Sequence, residues 1–222
     1  MSIPASCILW HKLESAGVSE KGPDPVEYNP PTTYASAKFG LGVDCGTGNS
    51  VARPYLVFPS AWYLDQSTVE FWVKPTYGSG SIGVTHNLMY QVYTSGNEIR
   101  IATDGFWVII SGYAYYIFQI DETWSSGDLI HIAVTLDVSA GATAKIKFYC
   151  NGVSQTFSSI YSGYDNVWPV GYDDIEVGGY YSPDCIIDNI KVFDYIKTDF
   201  SDRFVEGFGG GATSAPIMWY WN

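Results

Sequence analysis

The chain has 222 residues, 46% hydrophobic and 17% aromatic, with 23 acidic against 11 basic side chains and a formal net charge of −12. Such apolar content excludes intrinsic disorder, and an acidic balance without any basic run argues against a nucleic-acid partner. The sequence has no period-3 glycine, no heptad array and no apolar stretch near 18 residues, which argues against collagen, coiled coil and membrane insertion.

Taken in chain order, Met1-Ser2-Ile3-Pro4 lacks the basic and long apolar regions of a secretory signal. The first strand is expected at Cys7–His11. Glu14–Pro31 is polar and proline-rich and reads as a loop, since proline cannot donate to a β-ladder. Strands follow at Tyr55–Phe58 and Ser67–Lys74. In the latter, period-2 alternation turns Val69, Phe71 and Val73 one way and Thr68, Glu70, Trp72 and Lys74 the other. Further runs rich in β-branched and aromatic residues lie at Asn87–Tyr93, Glu98–Ala102, Phe106–Ser111, Ala114–Ile120 and Leu129–Asp137. Lys145–Cys150 and Val153–Phe157 flank Asn151-Gly152, a pair suited to the positive φ angles of a type I′ hairpin. Asp174–Val177 and Cys185–Phe193 complete the strands.

Thr198 or Ser201 can cap a short helix running through Glu206, with Phe200, Phe204 and Phe208 on one face. Gly207–Pro216 is a glycine-rich linker leading to the apolar tail Ile217–Asn222. About a dozen strands and one short helix imply an all-β sandwich of two antiparallel sheets. The expected division is a sandwich over 1–206 and a linker with aromatic tail over 207–222. About 220 residues suit one such domain. Cys7, Cys45, Cys150 and Cys185 contain no C-x-x-C pair, so a zinc site is not expected. Three complete pairings remain open, and buried thiols are the default.

Lys38-Phe39-Gly40-Leu41-Gly42-Val43-Asp44 leads into Tyr55-Leu56-Val57-Phe58-Pro59 and then Thr68-Val69-Glu70-Phe71-Trp72-Val73-Lys74-Pro75. His131–Asp137, Ile146–Gly152 and Ile187–Asp194 follow in order. This succession, spanning roughly residues 5–206, resembles laminin G-like domains of the concanavalin A-like lectin/glucanase superfamily, especially their bacterial and phage branch. The resemblance implies a jelly-roll sandwich. It says less about function, because the fold carries lectins, adhesion modules, hydrolases and lyases.

Hydrolysis would need paired carboxylates, and Glu70 and Glu122 lack partners at the superfamily's glu-x-asp-x-x-glu spacing. A jelly-roll lyase would need clustered cations, but Arg53, Arg100 and Arg203 are scattered. His131 reads as core or edge packing, and His11 and His86 as surface or loop histidines. The resemblance implies a structural Ca²⁺ at Asp188, with Asp44 or Asp24 as a second carboxylate. The alternative is that Asp188 only accepts backbone amides. Asp165, Asp173 and Asp174 form a looser acidic group. Aromatic faces suit sugar C–H groups, and the loop residues Tyr161, Tyr164, Trp168 and Tyr181 are the candidate ligand contacts. Tyr113, Tyr115 and Tyr116 make a second dense group.

The expected function is a non-catalytic recognition module for a neutral glycan or glycosylated surface, in a phage or surface-attachment setting. The alternatives are a polysaccharide-degrading enzyme on the same fold and a purely structural virion or assembly protein. In either case the C-terminal tail could dock a neighbour or a second copy. An extracellular surface or virion location accompanies this reading.

Overall fold

The computed structural model describes residues 3–15, 17–29, 31–46, 55–63, 65–83, 85–90, 97–110, 114–162, 172–178 and 184–206. Its strands are β1 (Cys7–His11), β2 (Val26–Tyr28), β3 (Thr33–Ala37), β4 (Gly40–Asp44), β5 (Tyr55–Tyr63), β6 (Gln66–Pro75), β7 (His86–Tyr90) and β8 (Glu98–Ala102). They continue with β9 (Gly105–Ile110), β10 (Ala114–Phe118), β11 (Ile130–Asp137), β12 (Ile146–Cys150), β13 (Val153–Ser154), β14 (Phe157–Ser162), β15 (Tyr172–Gly178) and β16 (Cys185–Phe193).

One layer is a sheet in the order β13-β12-β11-β6-β16-β4-β3, with β1 also pairing β16. The other combines β14-β10-β9-β8-β7 with β15-β5-β2, β15 lying beside β7. All pairings are antiparallel. Val69, Phe71, Val73, Ile132, Val134 and Phe148 from the first layer meet Ile99, Ile101, Phe106, Val108, Tyr116 and Phe118 from the second, all at most 2% exposed. Phe106 and Phe148 stack across the layers at 4.2 Å between ring centroids. The two-layer all-β sandwich is as expected.

Asn151 and Gly152 take φ angles of 53° and 81° and join β12 to β13, as the hairpin requires. The expected strand Val153–Phe157 divides: β13 stays in the large sheet, while β14 pairs β10 in the other. The proline-rich segment is not wholly loop. Its β2 pairs β5, and beyond its end at Pro31 two further strands, β3 and β4, form a hairpin. Prolines 23, 25, 30 and 31 bracket β2 without entering it. The short C-terminal helix is a single 3₁₀ turn at Ser201–Phe204, with Phe200 buried and Phe204 58% exposed.

The residues after β16 cover the outer face of the large sheet. Thr68 Oγ1 donates to the Tyr195 carbonyl, and Trp72 Nε1 donates to the Arg203 carbonyl. Phe200 packs on Tyr149 and His131. Beneath this cover Lys197 Nζ donates to Glu70 Oε2 at 2.8 Å and to Asp202 Oδ1 at 2.8 Å. Thr68, Glu70 and Trp72 are therefore buried although they face away from the core. Burial works against the Lys197 charge, but Glu70 and Asp202 outweigh it and hold its pKa above the ordinary lysine value. Among the described residues, no helix is long and apolar enough to cross a membrane. Residues 207–222, expected to be the linker and tail, lie outside those described.

Candidate functional site

Among the described residues, no segment lies on the outer face of the five-stranded sheet as the residues after β16 lie on the large sheet. Period-2 alternation sends Phe106, Val108 and Ile110 of β9 inward and Trp107 and Ile109 outward. Register then assembles two rows across four strands. One is Arg100–Trp107–Ile117–Ser159, and the other is Glu98–Ile109–Tyr115–Tyr161. At about 4.8 Å between strands each row is roughly 14 Å long. Trp107 and Tyr115 are half-buried with centroids 6.4 Å apart, and Tyr161 is 60% exposed. The outward-facing Ile109 and Ile117 are themselves only 5% and 3% exposed.

Trp107 is held on two sides. Its Nε1 donates to Asp104 Oδ1 at 2.9 Å, and the Arg100 guanidinium sits 4.5 Å over its ring. Arg100 in turn pairs with Glu98 at 3.2 Å. Burial pushes the Glu98 carboxyl up, and Arg100 partly offsets that. Asp104 lies in the β8–β9 turn, where Gly105 is required because a Cβ there would press into the Phe118 carbonyl. Asp104 also lines a cleft of about 410 Å³ with Ser79, Thr103, Gln119, Glu122 and Thr123. Hydroxyl, amide and carboxylate groups thus adjoin an aromatic strip. That combination suits a polyol ligand, which needs flat apolar contact and convergent hydrogen-bonding groups.

Of the expected ligand contacts, Tyr161 lies on this face, while Tyr164, Trp168 and Tyr181 fall outside the described residues, as does Tyr113. Tyr115 joins the strip. Tyr116 does not: it is fully buried and its hydroxyl donates to the Ala142 carbonyl. Asp104 and Trp107 were not singled out from the sequence, and Arg100 was named there only as one of three scattered arginines, although alternation in Phe106–Ile110 carries the signal for Trp107.

The acidic candidates are separately engaged. Asp188 is 1% exposed, and its Oδ2 accepts the Phe39 amide at 2.8 Å. Among the described residues its Oδ1 has no hydrogen-bond partner. Burial pushes its pKa up to about 6, opposed by backbone amides of Phe39, Lys38 and Asn189. Asp44 Oδ1 accepts the Gly46 amide and Asp24 Oδ1 the Ser19 amide. Among the described residues no three His, Cys, Asp or Glu side chains gather as a metal group, so these three aspartates do not form one. Asp174 accepts the Ser60 amide, and Asp165 lies outside the described residues.

The histidine reading needs correction. His11 and His86 are strand residues of β1 and β7, each 3% exposed, and not surface or loop groups. Their neighbours Leu9 and Leu88 belong to the core, which the isolated ring types did not reveal. His131 is buried at 2%, as expected.

A two-layer sandwich with an aromatic outer strip and an adjoining polar cleft has the build of a lectin-type domain. The laminin G family model of the concanavalin A-like lectin/glucanases superfamily matches residues 46–199, and the chain belongs to that superfamily. Comparison with curated protein sequences finds no match. Among solved structures, the chain is similar to domain 4 of AbnA, an extracellular GH43 arabinanase from Geobacillus stearothermophilus, solved in complex with arabinotriose. That match has a TM-score of 0.60 and 15% identity, covering 86% of this chain and 93% of the domain. It is also similar to the receptor-binding domain of botulinum neurotoxin mosaic serotype C/D, with a TM-score of 0.55 and 14% identity over 92% of this chain. The binding domain of botulinum neurotoxin DC, in complex with SialylT, matches at 0.51 and 12% over 92%. This chain spans about half of those two toxin chains, at 50% and 51%. At such identities the likeness is one of fold.

Proposed function

We propose that the chain is a non-catalytic recognition module that binds a neutral glycan or glycosylated surface through the Trp107–Tyr115–Tyr161 strip. The observation that carries this is the continuity of the strip with the Asp104 cleft, since Asp104 both fixes Trp107 and lines the cleft. The arabinotriose complex of the arabinanase domain and the SialylT complex of the toxin domain support the ligand class. The net charge of −12 favours a neutral ligand over a polyanion, which it would repel. The resemblance to phage and bacterial laminin G-like domains supports a surface-attachment or virion setting.

Titration calorimetry against neutral oligosaccharides should show weak binding. Tyr161→Ala and Trp107→Ala should each weaken it about two- to tenfold, the range of one aromatic contact. Tyr161 is exposed, so its variant separates ligand contact from folding. Absence of binding at millimolar ligand overturns the proposal. Polysaccharide turnover that disappears in Asp104→Asn or Glu122→Gln would replace it with the enzymatic reading.

Structural calcium at Asp188 is part of the same proposal, supported by the buried and unpartnered Oδ1. Because Asp44 and Asp24 do not join it, backbone carbonyls and water would supply most of the six to eight oxygens. An ion bound only by the folded chain raises the melting temperature. Excess EDTA should therefore lower it in wild type and leave Asp188→Asn unmoved. An EDTA-insensitive wild type removes calcium from the proposal.

A further inference from the structure

We propose that Cys45 and Cys185 form a reversible cross-strand disulfide that staples the end of β4 to β16. The inference is independent of the glycan-binding reading. Ile187 pairs Val43 and Ile186 pairs Asp44. One step further along the same antiparallel register sets Cys185 opposite Cys45, and the Cys45 amide donates to the Cys185 carbonyl at 3.0 Å. Residues directly opposite one another in an antiparallel pair have Cα atoms about 4.5–5.5 Å apart, inside the range of about 4.4–6.8 Å that a disulfide spans. Both side chains enter the same core cluster, at 4% and 2% exposure.

The other two thiols have no such partner. Cys7 lies opposite Phe193, eight residues along β16 from Cys185, or roughly 26 Å at strand rise. Its Sγ donates to the Leu9 carbonyl at 3.1 Å. Cys150 sits on β12, separated from β16 by β11 and β6. Of the three complete pairings open to four cysteines, two lack the Cys45–Cys185 bond. The third also needs Cys7 and Cys150 to meet across the sheet, so one bond and two thiols are the outcome the fold permits.

The bond forms by exchange with a small-molecule disulfide such as oxidised glutathione. One cysteine thiolate attacks a glutathione sulfur, releases one glutathione thiolate and leaves a mixed disulfide. The second cysteine then attacks its partner's sulfur and releases the other glutathione. Two protein thiols are oxidised, one external disulfide is reduced to two thiols, and the two protons pass to the departing thiolates. Burial raises the Cys185 thiol well above its usual range, with the Cys45 thiol beside it as a further cause. In the closed fold the thiolate is therefore scarce and exchange is slow. During folding, before the strand ends close, it is fast.

The full chain, reduced and unfolded, is refolded in reduced and oxidised glutathione, alkylated in denaturant and peptide-mapped. The expected product has one disulfide, Cys45 to Cys185, with Cys7 and Cys150 alkylated. The bond closes a loop of well over 100 residues, so oxidised chain should melt roughly 10 °C above reduced chain. The double variant C7S/C150S should keep that difference, and Cys45→Ala and Cys185→Ala should each abolish it. Alkylation of both Cys45 and Cys185, a bond from either to Cys7 or Cys150, or a correct bond without a melting shift would each overturn the proposal.

Discussion

Lys197→Met is expected to destabilise the fold by about 3–5 kcal/mol, the cost of leaving one member of a buried ion pair without its partner. Glu70 is 2% exposed and lies within 2.8 Å of the ammonium, so the variant strands its carboxylate under the C-terminal segment. Burial already pushes the Glu70 carboxyl up in the presence of Lys197. Without that cation it would take up a proton or drive the segment off the sheet. The double variant E70Q/K197M should recover part of the loss. Recovery is incomplete because Lys191, 2% exposed, also relies on the Glu70 charge against its own burial. Urea unfolding measures both changes, and a loss below about 1 kcal/mol for Lys197→Met would show that the segment is not held by this pair.

Acid should weaken the fold steeply below about pH 6.5. All three histidines are buried and neutral. His11 Nδ1 accepts the Leu13 amide, while Nε2 faces the Gly17 carbonyl, which fixes the uncharged ring with its proton on Nε2. Burial depresses its pKa, and burial likewise depresses His86 against the opposing Asp184 charge. His131 is held well below the ordinary value by burial, reinforced by Lys197, Arg203 and Lys191. Below the unfolded histidine pKa the unfolded chain therefore binds more protons, and stability falls as pH falls. Three such groups can cost at most about 4 kcal/mol per pH unit. Asp188, Glu70 and Glu98 are raised by burial and titrate in the opposite sense, which blunts the loss. The net slope therefore lies below that ceiling. Urea midpoints at about pH 7.5, 6.5 and 5.5 test this, and His131→Asn should reduce the slope by up to about 1.4 kcal/mol per unit. Equal midpoints would refute it.

Alternation made much of the sandwich legible. Val69, Phe71 and Val73 face the core as their spacing requires, and Asn151-Gly152 turns as its residue types demand. What alternation could not show is the fate of the opposite face. Glu70 and Trp72 look solvent-facing by period, yet they are buried by a segment more than 120 residues further on, because contacts at that separation leave no local pattern. The strands β2 and β3 were hidden for a related reason. Their pairing comes from neighbours in space, while the prolines around them signal loop. At the candidate site, residue type pointed to Tyr161 and Tyr115. Arg100 emerges only when cross-strand register sets it beside Trp107, and Asp104 only when the β8–β9 turn folds it back onto the same ring.

The covering segment also gives the module a front and a back. Residues 195–206 lie on the outer side of the large sheet, and the Trp107–Tyr115–Tyr161 strip lies on the opposite side of the sandwich. A support docked on this covering segment would therefore hold the domain by its back and present the strip outward. In an array of such domains every recognition face would then point the same way, so that weak individual contacts act together on a surface rich in ligand.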